Sequence, residues 1–121
     1  MDAARAESLI ATAEDARAAM RRGENAAGVE AFEASYADMR EALDWLIQAG
    51  RADDAFRLSA SITQFWMASK RVDEGIGWLE GALETGQGSD AGRARGLHDL
   101  GYLAFFSGGY DVAARRFAEV G

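Results

Sequence analysis

The chain has 121 residues, enough for one domain with a modest core, and a net charge of −7 from 13 Lys and Arg against 20 Asp and Glu, which argues against direct binding of a nucleic-acid backbone. It has no cysteine, which excludes disulfides and thiolate metal sites, and no proline, which with plentiful Ala, Glu, Arg and Leu favours helix nearly end to end. No apolar run approaches the roughly 18 residues of a membrane span and no signal peptide opens the chain, so no membrane partner and a cytoplasmic location are expected.

Periodicity predicts six helices. The first covers about 2–22, with Ala6, Leu9, Ile10, Ala13, Ala16 and Met20 on one face of mostly small residues. Gly23 supplies its stop, and Asn25 and Gly28 are read as continuing the break. The second covers about 34–49, starting from Val29 at the earliest. Its stripe is Tyr36, Met39, Leu43, Leu46 and Ile47, with Trp45 beside it and Gly50 closing it.

The third helix covers about 52–69, with Asp53 or Asp54 near its start as a capping residue. Phe56, Ser59, Ile62, Phe65 and Trp66 share a broad face, and Met67 adds girth, so this helix is expected to be covered on two sides. A very short turn around 69–71 leads into the fourth helix, about 72–85, where Val72, Ile76, Leu79 and Leu83 recur at helical steps. Gly75, Gly77 and Gly81 are each unfavourable inside a helix by roughly 1 kcal/mol against alanine. Gly75 lies on the side of Val72 and Leu79, where a side chain would hold a partner helix away.

After a loop at 86–90, with Ser89 or Asp90 as cap, the fifth helix covers about 91–107. Its buried side is read as Leu97, Leu100, Gly101, Ala104 and Phe105. Gly108 and Gly109 turn the chain into a sixth helix, about 110–120, faced by Tyr110, Ala113, Phe117 and Val120. That last helix is short for the edge of a stack, so the chain is expected to continue in a larger parent protein.

The two later hairpins align with each other. Val72, Gly75, Leu79 and Ala82 match Tyr110, Ala113, Phe117 and Val120, and Ile62 and Trp66 match Leu100 and Ala104, all at one offset. Such a period points to a solenoid of helical hairpins, in which the first helix of each pair lines a concave surface.

At these residues the chain resembles a tetratricopeptide repeat. Leu97, Leu100, Gly101 and Ala104 stand at the pattern's positions in the first helix, Gly108 and Tyr110 at its turn, and Ala113, Phe117 and Val120 in its second helix. The preceding hairpin departs from the pattern, with Ile62, Thr63 and Gly75 in place of leucine, glycine and alanine. A narrower resemblance spans about 33–120. ALDWL at Ala42 to Leu46, Gly50 with Asp53, Phe65 with Trp66, and EGIGWLEGAL from Glu74 to Leu83 look like the helical repeat region of bacterial LuxR-type and SARP-type transcriptional regulators and related signal-transduction ATPases or cyclases. The resemblance implies an all-α, right-handed superhelix of antiparallel hairpins. It also implies a non-catalytic scaffold for protein–protein interaction or signal relay, contacting a protein, a peptide or other domains of its parent chain.

The sequence holds little chemistry. His98 is the only histidine and neighbours Asp99, but adjacent helix residues point apart, so neither a metal nor a catalytic role is assigned. Asp53 with Asp54 and Asp73 with Glu74 lie in first helical turns, where negative charge is favoured. The basic cluster Arg17, Arg21, Arg22 is read first as solvated surface and second as a contact patch. No cofactor is expected. Trp45, Trp66 and Trp78 are read as core, with Trp78 the one that flanks a groove if any does. The polar contacts assigned to a concave binding surface are Arg57, Gln64, Lys70, Arg93, Arg95 and Asp99. The alternative is a ligand- or inducer-sensing domain with a small-molecule pocket between hairpins. Apolar faces on the first and last helices predict pairing with a second copy.

Overall fold

A computed structural model of the chain describes residues 1–107, 118 and 119. Among these residues the fold is all helical, in five helices: α1 (Ala3–Arg21), α2 (Asn25–Gln48), α3 (Ala52–Ala68), α4 (Val72–Glu84) and α5 (Asp90–Phe106). Of the expected sixth helix only residues 118 and 119 are among the described residues, and Gly108, Tyr110, Ala113, Phe117 and Val120 lie outside them.

Three of the four connections are built alike. After α1, α2 and α3 the chain takes one residue into the left-handed region: Gly23 (φ 85°), Gly50 (φ 74°) and Lys70 (φ 60°). At each end the next amide reaches back to the helix. Glu24 N–H donates to the Ala19 carbonyl, Arg51 N–H to Leu46 and Arg71 N–H to Trp66, at 3.0, 2.8 and 2.8 Å. This closure satisfies carbonyls that the helix end leaves open and reverses the chain within three residues. Successive helices therefore pack against each other. In addition α1 packs on α3 and α3 on α5, while α2 touches α4 only slightly. The odd helices form one layer and the even helices another.

α3 sits at the centre, against all four other helices. Phe56, Leu58, Ile62, Phe65 and Trp66 are all but fully buried, and so are Ser59 and Ser61 around the girth. Phe32 and Phe65 stack with ring centroids 5.0 Å apart. Trp66 donates its indole N–H to the Tyr36 hydroxyl at 2.7 Å, so the largest buried side chain has its one polar group paired. Burial pushes the Tyr36 phenol up, and the Glu74 carboxylate beside it pushes the same way. α1 buries the six residues expected of it: Ala6, Leu9, Ile10, Ala13, Ala16 and Met20.

Four expectations are corrected. α2 begins at Asn25, not near residue 34, so Asn25 and Gly28 belong to the helix and not to a break. Gly28 is buried because α1 crosses there: a methyl on it would stand 2.9 Å from the Ala16 carbonyl and collide with Met20. The longer helix brings Phe32 into the buried stripe. Neither Asp53 nor Asp54 caps α3, whose flanking residue is Arg51. Asp54 pairs with Arg51 at 2.8 Å, and Asp53 reaches to the start of α5. Finally, Phe105 is 49% exposed, and its place in the core is taken by Leu103.

The start of α5 is fixed by two contacts. Ser89 caps it by accepting from Gly92 N–H at 3.0 Å, and Asp53 accepts from both the Ser89 amide (2.9 Å) and the Ser89 hydroxyl (3.0 Å). At Gly96 the two helices come close: a methyl there would lie 2.7 Å from the Phe56 ring. The first turn of α3 and the first turns of α5 are thus held together, which sets the lateral spacing of the odd-helix layer. No helix among the described residues is long and apolar enough to cross a membrane.

Candidate functional site

The open face of the odd-helix layer carries a groove of about 380 Å³. Each helix contributes one stripe at helical spacing. α1 gives Arg17 and Arg21, one turn apart. α3 gives Ala60, Thr63, Gln64 and Met67, and α5 gives Arg95, His98, Asp99 and Tyr102. The groove exists because the lateral spacing leaves room between α1 and α5 above the small residue Ala60. No direct α1–α5 packing closes it.

Asp99 is the groove's fixed anion. It is only 3% exposed, and both of its oxygens accept from Arg95 Nε, at 3.1 and 3.0 Å. His98 Nδ1 lies 3.5 Å from one of them. The His98 and Tyr102 rings lie nearly parallel at 6.3 Å, and Tyr102 meets the edge of Phe106 at 4.9 Å. Tyr102 remains 39% exposed and forms an aromatic wall.

The other cations behave differently. Arg17 is partly buried, and burial holds its guanidinium below the usual range, with Arg21 and Arg95 adding like-charge repulsion. Asp99 and Glu14 offset this only in part. Apart from Arg17 and Arg21, every arginine among the described residues has an acidic or carbonyl partner. Arg5 pairs with Asp38, Arg22 with Glu24, Arg40 with Glu74, Arg51 with Asp54 and Arg71 with Glu33. Arg17 and Arg21 make no ion pair among the described residues.

Of the residues assigned to a binding surface from sequence, the structure brings Gln64, Arg95 and Asp99 together in the groove. Arg57 sits on α3 but forks to Glu7 and Glu14 of α1, each at 3.0 Å. Lys70 occupies the α3–α4 turn. Trp78 lies on α4 and packs half-buried on the core. Arg93 donates to the Leu83 and Gln87 carbonyls at 3.2 and 3.0 Å, closing the end of α4. The sequence assigned neither Met67 nor Tyr102 to a site, and gave Arg17 and Arg21 a contact role only as a second reading. The four-residue spacing of Arg17 and Arg21 was a visible signal, but their proximity to Arg95 follows only from the α1–α3–α5 packing.

The arrangement can bind and neutralise an anion beside an apolar and aromatic wall. Among the described residues no group of three or more His, Asp or Glu is placed to hold a metal ion. No protein-family model, curated protein or solved structure matches the chain.

Proposed function

We propose that the chain is a non-catalytic, tetratricopeptide-like scaffold. Its hairpins would continue a right-handed superhelix, and it would serve protein–protein interaction or signal relay within a bacterial transcriptional regulator. The observation that carries the binding role is the groove: one polar stripe from each odd helix, facing the same way. Layering of first helices on first helices supports the repeat reading, as do the three like turns. A surface made this way extends along the stack, which suits an extended protein segment. A small-molecule pocket between hairpins or against the inner curve would draw on the same odd-helix lining, and the peptide reading is preferred because the lining residues lie in stripes along successive helices.

The test is selection of random peptides displayed against the immobilised chain, followed by mapping of the binders through backbone amide shifts. Enriched peptides should perturb Thr63, Gln64 and Tyr102, and Tyr102→Ala should weaken them by about tenfold or more. An absence of enriched peptides, or binders that map to α2 and α4, would overturn the proposal.

A further inference from the structure

Resting on the scaffold reading, we infer that the groove takes an acidic segment of a partner protein, seating an Asp or Glu side chain between Arg17, Arg21 and Arg95 with an apolar side chain beside it on Met67 and Tyr102.

The charges lining the groove carry the inference. The chain is acidic overall, at −7, so three guanidinium groups in one groove do not follow from composition. The nearby carboxylates are already committed. Glu14 is held by Arg57 at 3.0 and 3.3 Å, and both oxygens of Asp99 are taken by Arg95. Arg17 and Arg21 make no ion pair among the described residues, and Glu14 and Asp99, each engaged by another arginine, offset the charge of Arg17 only in part. Partial burial of Arg17 beside the like charges of Arg21 and Arg95 opposes its charged form, and an incoming carboxylate relieves that opposition. A planar carboxylate can accept parallel bonds from a guanidinium, a match a backbone carbonyl cannot make.

The remaining lining says what flanks the acid. The Gln64 amide can both donate and accept, as a peptide backbone passing over it requires. Met67 and the exposed side of Tyr102 present apolar surface at the groove's edge, where an aliphatic or aromatic neighbour of the acid can rest. A nucleic-acid backbone fits less well. It needs cations in a continuous track, and here the cationic patch runs into Glu14 on one side and Asp99 on the other.

The experiment reads the sequences of the selected peptides and then their binding by the full chain. Enriched peptides should carry Asp or Glu next to an aliphatic or aromatic residue. For a synthesised representative, acid-to-amide substitution should weaken binding by about tenfold or more, as should Arg17→Gln with Arg21→Gln in the protein. The charge-reversed pair Arg17→Glu with Arg21→Glu should prefer the same peptide with lysine in place of its acid. Peptides that shift Thr63 and Gln64 yet carry no acid would overturn this inference and leave the scaffold reading standing. No enrichment at all would overturn both. Single-stranded DNA of matched charge that binds as tightly as the peptide would overturn the inference in favour of a general polyanion surface.

Discussion

Gly75 shows how one residue can encode a packing distance. A methyl at this position would come within 2.6 Å of Trp66 Cε3 and 2.9 Å of Leu103 Cδ1, both buried and unable to retreat. Its neighbour Gly77 has nothing within 4 Å of the same added atom. The two glycines therefore respond oppositely to the same change. Gly77→Ala should stabilise by about 0.5–1 kcal/mol through helix propensity. Gly75→Ala gains the same propensity but must force the indole aside, at about 1–3 kcal/mol, so it should be neutral at best and most often destabilising. Urea unfolding of both variants checks the pair, and equal stabilisation would show that α4 does not approach α3 as described. Gly75 also explains a departure from the repeat pattern that was visible in the sequence. Where the pattern has alanine, this hairpin has glycine because Trp66 fills the space opposite.

At the scale of elements, the tight turns are the recurring device. Gly23 and Gly50 take the left-handed conformation without a Cβ penalty, but Lys70 adopts it at φ 60° with one. Lys70→Gly should therefore raise stability by roughly 0.5–1 kcal/mol, with the groove unchanged. A loss of stability in chemical denaturation would mean that the Lys70 side chain holds something the turn geometry does not show.

The helix types, the α1 face and the α3–α4 hairpin were legible because each depends on local periodicity and punctuation. The start of α2 was not. Asn25 and Gly28 look like a break locally, and the close crossing of Ala16 and Met20 over Gly28 is a tertiary fact. Asp53 likewise looked like a cap for its own helix, but its partner is Ser89, 36 residues further on. Phe105 and Leu103 were exchanged for a similar reason. Both fit an apolar stripe on α5, and only the direction from which α3 approaches decides between them.

For the whole molecule, the site was half legible. Gln64, Arg95 and Asp99 were readable as polar positions on first helices, whereas Arg17 and Arg21 looked like ordinary solvated surface. What distinguishes them is the absence of an ion pair among the described residues, where the other arginines are paired, and pairing is visible only once the helices are stacked. Residues kept for binding tend not to help the fold.

The most direct measurement of that claim is thermal unfolding of the wild-type chain and of the Arg17→Gln, Arg21→Gln double variant, each with and without a selected acidic peptide. Without peptide, the variant should melt at the same temperature as wild type or higher, because repulsion is removed and no ion pair is lost. With peptide in large excess over its Kd, the wild type should rise by several degrees, on the order of 2–4 kcal/mol of linkage, and the variant by about 1.4 kcal/mol less or lower still. A variant that melts more than about 4 °C below wild type without peptide, or that is stabilised by peptide as much as wild type, would contradict the account.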